Sequence, residues 1–169
     1  MLTALGFAWS IAAAVVIAYD YLLIGGILIL VSGAFDLFDG ALARAKSQAT
    51  KFGAILDSAL DRLSEAAVLL GLLVLYVGSE ATWEVLLIYI AIVGSILVSY
   101  TRARAEGLGL KCKVGIFTRA PRVIVLALGL MIGQWVEKAV FVVLCILAVF
   151  AWLTVLQRLI YLKQQAGEE

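Results

Sequence analysis

The chain predicts an all-α membrane protein of six transmembrane helices around a polar cavity that opens to the cytoplasmic side. Three observations lead there. Of 169 residues, 64% are hydrophobic and 15% charged, and the mean hydropathy is +1.10, values that belong to polytopic helical membrane proteins. The apolar residues gather into six runs of bilayer-spanning length. The few charges are segregated, with nearly all the cations at one set of helix ends.

The runs cover residues 2–19, 21–45, 52–77, 83–101, 120–135 and 139–162, within a single domain spanning residues 1–169. The first has no charged segment before it and no cleavage site after it, so it reads as a true span rather than a signal peptide. Asp20 and residues 78–82 and 134–138 make short, mainly acidic connections. The opposite ends carry Arg44, Lys46, Lys51, Arg102, Arg104, Lys111, Lys113, Arg119, Arg122, Arg158 and Lys163, and only Lys138 falls on the acidic side. The positive-inside rule then puts both termini in the cytoplasm. Residues 102–119 form the longest polar stretch, and Gly107, Gly109 and Gly115 fit a loop there. Pro121 suits the first turn of the fifth helix, where a missing N–H costs nothing. Gly25, Gly26, Gly33, Gly71 and Gly94 suit close helix packing, and Trp83 and Trp135 suit the outer interface.

Composition also excludes several functions. A net charge of +1 gives no footprint for nucleic acid. Histidine is absent, so no imidazole serves as ligand or base, and neither Cys112 nor Cys145 has one to activate its thiol.

The second and third runs contain four aspartates, Asp36, Asp39, Asp57 and Asp61. A carboxylate at membrane depth costs about 2.5–3.5 kcal/mol even on the lenient insertion scale, so such a cluster calls for a shared cation. Asp39 and Asp57 each lie nine residues from Gln48, the centre of the connecting turn, or about 13 Å down their helices. Asp36 and Asp61 follow one turn deeper, and the i,i+3 and i,i+4 spacings put each pair on one face. Gly40 and Gly53 continue those faces upward and leave room for a ligand, Ala43 keeps the wall low, and Arg44 stands at the rim where its guanidinium can clamp a diphosphate. All-oxygen ligation suits Mg²⁺ or Mn²⁺, as two ions bridged by carboxylates and substrate phosphates. The alternative, four separately paired structural aspartates, lacks cations at that depth; Arg62 is the nearest. Glu65 continues the Asp57–Asp61 face, either as pocket floor or as a buried hydrogen-bonded acid.

These residues match, without a gap, the pattern D-x2-D-G-x2-A-R-x8-G-x3-D-x3-D, at Asp36, Asp39, Gly40, Ala43, Arg44, Gly53, Asp57 and Asp61. The chain thereby resembles the CDP-alcohol phosphotransferases, also called CDP-alcohol phosphatidyltransferases. The resemblance implies transfer of a phosphatidyl-type group from a CDP-linked lipid to an alcohol, with release of CMP. It carries the metal ligands onto Asp36, Asp39, Asp57 and Asp61, the base onto Asp61, and the CDP site onto Asp36, Gly40, Ala43, Arg44 and Gly53. It also implies a membrane-embedded enzyme that is commonly a homodimer. In one respect the chain departs from it: members usually carry a surface helix and a short lead before the first span, whereas Met1-Leu2-Thr3 opens directly in that span.

The fourth run ends SYTRARAEGLGL and the fifth begins VGIFTRAPR. Both resemble the branch that makes phosphatidylinositol phosphate, or its archaeal-lipid counterpart archaetidylinositol phosphate, from inositol 1-phosphate. That implies an acceptor phosphate held by Ser99, Arg102, Arg119, Arg122 and Arg158. Guanidinium forks suit a phosphomonoester better than ammonium groups do, although cations at a cytoplasmic boundary also serve as topology determinants and headgroup anchors. Glycerol 3-phosphate or another alcohol remains an alternative acceptor. A divalent-cation transporter is the rival from another class, since acidic clusters also mark ion paths.

Overall fold

The computed structural model describes residues 2–45, 50–79 and 81–167, with side chains at 4–35, 50–79 and 81–167. It holds six α-helices: α1 (Leu2–Ala18), α2 (Leu22–Ala45), α3 (Lys51–Gly78), α4 (Thr82–Gly107), α5 (Arg119–Gly133) and α6 (Lys138–Ala166). Each coincides with a predicted run, and one end needs correcting. The fourth run was expected to stop at residue 101, but α4 continues to Gly107, so Arg102 and Arg104 stand on a helix rather than in a loop. Falling hydropathy ends an apolar run without ending a helix. Arg and Glu are good helix formers, and Arg102 Nε bonds Glu106 Oε1 at 2.8 Å one turn on. Gly109, at φ +81°, turns the chain away just beyond.

At the other boundaries local chemistry agrees with the pattern. Thr50 caps α3, its Oγ1 accepting from the Gly53 N–H at 3.0 Å. Pro121 is the third residue of α5, inside the first turn. The Gln134 side chain reaches back from the end of α5 and accepts from the Leu23 N–H at the start of α2, at 3.3 Å.

The close helix neighbours close into a ring: α1 on α2, α2 on α5, α5 on α6, α6 on α4, α4 on α3, and α3 back on α1. Consecutive in the chain, α2 and α3 are not close-packed among the described residues; a cavity separates them. Glycines set the tightest approaches. A Cβ on Gly71 would come within 2.4 Å of the Ala14 carbonyl oxygen, and one on Gly26 within 2.7 Å of that of Ala127. Gly33 is different: an added Cβ would meet only Val123 Cγ1, at 3.8 Å. Its expected packing role gives way to another position, on the wall of the cavity.

Ile17, Leu69, Leu72, Ile88, Leu130 and Leu144 make up much of the interior. Outward faces are apolar as well, with Leu70, Val74, Leu86, Ile132, Val149 and Leu156 all exposed. An apolar surface on this scale belongs in lipid rather than water. By length and composition, α4 and α6 each qualify alone as membrane-crossing helices. Trp83 and Trp135 are 72% and 73% exposed near the ends joined by short acidic turns, as an interfacial belt requires.

Candidate active site

α3 presents Asp57, Asp61 and Glu65 at successive turns of one face, and all three line a cavity of about 460 Å³ between α3 and α2. Its other walls are mainly apolar, from Ile29, Gly33 and Ala34 on α2 and Val123, Ile124 and Leu126 on α5. Ser10 and Ser32 add hydroxyls 2.8 Å apart, and Ser32 also donates to the Gly6 carbonyl at 2.8 Å, which pins α1 to α2 beside the cavity. The α2 backbone continues helical from this wall to Ala45, carrying Asp36, Asp39, Gly40, Ala43 and Arg44. Those five side chains lie outside the described residues, so Asp57 and Asp61 are the described half of the expected carboxylate cluster. Gly53 lines neither this cavity nor the one below. An added Cβ there would sit 2.9 Å from the Thr50 cap oxygen.

A second cavity, of about 720 Å³, opens on the other side of Asp61 among α3, α4, α5 and α6. Ser99, Arg102, Arg119, Arg122 and Arg158, drawn from three helices, all line it. Arg104, Lys111 and Lys113 do not. The arginines are partnered rather than bare. Arg119 Nη1 contacts Asp61 Oδ1 at 2.8 Å. Arg122 grips Glu65 with two bonds, Nε to Oε1 at 2.7 Å and Nη2 to Oε2 at 2.8 Å, and gives Nη1 to the Phe117 carbonyl at 3.1 Å. Arg158 donates from Nε to the Val114 carbonyl at 2.9 Å and from Nη1 to that of Val98.

Two expectations change here. Cations do reach this depth: Arg119 and Arg122 arrive from α5, whereas Arg62, the nearest in sequence, bonds the Ser58 carbonyl of its own helix through Nη1. Glu65 proves to be both of the things open to it, a wall of both cavities and a hydrogen-bonded acid. These pairings escaped the sequence because Glu65 and Arg122 are 57 residues apart. The only available signal was matched spacing, i,i+4 acids on α3 against i,i+3 arginines on α5.

Asp61, Glu65, Arg119, Ala120 and Arg122 border both cavities. The two ion pairs therefore form a partition between a mostly apolar chamber and a polar one. Five arginines (62, 102, 119, 122 and 158) line the polar chamber against three acids (Asp61, Glu65 and Glu106), leaving two positive charges in surplus. Glu65 and Arg122 are the dry pair, with side chains 10% and 2% exposed; Asp61 and Arg119 keep 21% and 30%.

Comparison with known proteins bears on this arrangement. Residues 1–162 match the family model for CDP-alcohol phosphatidyltransferase. The chain belongs to the CDP-alcohol phosphatidyltransferase family. This transferase is 38% identical over 168 residues to an archaetidylinositol phosphate synthase of Methanothermobacter thermautotrophicus, covering 97% of this chain and 82% of the relative. It is 34% identical over 169 residues to a phosphatidylinositol phosphate synthase of Mycobacteroides abscessus, covering 98% and 77%. The crystal structure of Mycobacterium tuberculosis phosphatidylinositol phosphate synthase with CDP-DAG bound superposes with a TM-score of 0.84 at 33% identity, over 94% of this chain and 82% of that one. Its complex with manganese and citrate gives 0.86 at the same identity, over 94% and 78%.

The protein is thus a metal-dependent transferase, and its described residues suit a divalent cation. Asp57 and Asp61 offer hard carboxylate oxygens to one cavity, one helical turn apart, and the continuing α2 brings two further aspartates in sequence. Among the described residues no three candidate ligands cluster on their own.

Proposed function

We propose that this transferase moves the phosphatidyl-type group of a CDP-linked lipid, CDP-diacylglycerol or CDP-archaeol, onto a hydroxyl of inositol 1-phosphate. The observation that carries this reading is the arginine-lined chamber, two positive charges in excess, sharing Asp61 with the chamber beneath α2. A phosphomonoester dianion matches that surplus, and its hydroxyl then lies toward the shared carboxylate.

In this reading Asp36, Asp39, Asp57 and Asp61 hold two Mg²⁺ or Mn²⁺ ions, whose chemistry is to neutralise the diphosphate and the leaving CMP. Gly40, Ala43 and Gly53 give the CDP moiety room, and Arg44 clamps its phosphates. Ser99, Arg102, Arg119, Arg122 and Arg158 orient the acceptor phosphate. The acceptor oxygen attacks the lipid-linked phosphorus, the bond from that phosphorus to the bridging oxygen breaks, and CMP leaves with that oxygen. The hydroxyl proton passes to Asp61. A carboxylate beside cations is a weak base, so catalysis draws on its position more than on its basicity. Relatives named archaetidylinositol phosphate synthase and phosphatidylinositol phosphate synthase support the choice of acceptor. All six helices span the membrane in this reading, with the cation-rich ends, both termini and the chambers at the cytoplasmic side. A homodimer in the bilayer is part of the same proposal.

CMP release by the purified protein, with inositol 1-phosphate, free inositol or glycerol 3-phosphate offered in parallel, tests the assignment. Activity confined to inositol 1-phosphate is expected, with inorganic phosphate competing. A preference for glycerol 3-phosphate would move the acceptor to the other branch, and no CMP release at all would sink the proposal.

A further inference from the structure

Glu65 lies outside the eight-residue motif, yet it holds the most buried charge near the site. We propose that Glu65 is a positioning residue for the acceptor, setting the arginine chamber through Arg122. The inference rests on the phosphomonoester reading above.

The geometry runs through three contacts. Glu65 grips Arg122 at 2.7 and 2.8 Å, and both side chains are almost fully buried. Arg122, so held, donates its remaining arm to the Phe117 carbonyl at 3.1 Å. Phe117 is tied from the other side: its N–H donates to Thr154 Oγ1 at 3.1 Å, and its ring packs on Phe150 with centroids 5.5 Å apart. Phe117 precedes by two residues the first residue of α5, Arg119, which reaches Asp61. A fork on α3 therefore fixes the start of α5, and with it the direction from which Arg119 enters the chamber.

The fork also decides charge. As a carboxylate, Glu65 neutralises Arg122 and leaves the chamber its surplus of two. Replaced by an amide, it would leave a buried guanidinium without a counter-charge, aimed at the same space as the acceptor phosphate, and would loosen the Phe117 carbonyl. Such a change acts chiefly on the acceptor, because the chain of contacts runs from Glu65 through Arg122 and Phe117 to the start of α5, which carries Arg119.

The test uses the full-length protein in detergent or vesicles, with Glu65→Gln and Glu65→Asp. Glu65→Gln keeps the shape and removes the charge. Glu65→Asp keeps the charge and withdraws the fork by one methylene. For both, the acceptor KM and the inhibition constant of inorganic phosphate should change by about 10-fold or more, while the CDP-lipid KM stays within about 2-fold of the wild type. Unchanged acceptor and phosphate constants in either folded variant would overturn the inference, as would equal shifts in donor and acceptor KM. Loss of folded protein in both variants also overturns it, because the pair would then serve the fold alone. Wild-type activity with inositol 1-phosphate is measured first. Its absence speaks against the function, whereas its presence with unmoved variants speaks against Glu65 alone.

Discussion

Arg119, the first residue of α5, contacts Asp61 on α3 at 2.8 Å across the boundary between the two chambers. The residue assigned to the acceptor phosphate thus touches the residue assigned to its proton. Arg119→Ala should raise the acceptor KM about 10- to 150-fold, the value of one charge-assisted contact of about 1.5–3 kcal/mol. CDP-lipid binding should hold. Steady-state kinetics with both substrates varied makes the comparison, and an unmoved acceptor KM would remove Arg119 from the pocket.

Asp57 tests the metal reading. Asp57→Asn keeps the shape of the α3 face but removes one of its three carboxylates from the cavity, and should cost more than about 100-fold in CMP release. Excess EDTA should silence the wild type, and added Mg²⁺ or Mn²⁺ should restore it. Near-normal turnover in the chelator would contradict the role given to the four aspartates.

Arg44 is expected to act on the other substrate. Its loss in Arg44→Ala should weaken CDP-lipid binding by about 10- to 150-fold and leave the acceptor KM near its wild-type value. A rise confined to the acceptor would reverse the assignment.

Arg102 and Arg104 separate pocket chemistry from topology. Both lie on the last turns of α4, yet only Arg102 lines the polar chamber. Arg102→Ala should raise the acceptor KM, while Arg104→Ala should leave kinetics and membrane insertion unchanged. Equal effects would mean that both serve only as boundary charges.

Gly71 and Gly33 make a paired test of packing. Gly71→Ala places a Cβ 2.4 Å from a backbone oxygen of α1, and should destabilise the bundle by about 1–3 kcal/mol. Gly33→Ala meets only a side-chain carbon at 3.8 Å and should keep the fold. Thermal unfolding in detergent measures both, and comparable losses would show that Gly33 packs as tightly as Gly71.

Much of this molecule was legible along the chain because membrane insertion writes its demands locally. A span needs an unbroken apolar run, and a cation end needs Arg or Lys near it, so six helices could be read off within a few residues. The exception was α4, where a hydropathy limit stood in for a helix end and Arg102–Glu106 carried the helix further. The motif from Asp36 to Asp61 was equally legible, because its spacing is a property of the chain along two consecutive helices.

By itself, then, the sequence determined the helices, the carboxylate-bearing faces and the family resemblance. Only the tertiary structure decided which charges meet. Arg122 could be named as a chamber residue, but its bidentate hold on Glu65 depends on how α5 is turned against α3. Arg62 is the cation nearest to Asp61 in sequence, yet Asp61 pairs with Arg119 on another helix. Spacing determines what shares a face. Which faces oppose one another is set by packing around the whole ring, where glycines such as Gly26 and Gly71 fix how closely the helices approach and a cavity holds α2 and α3 apart.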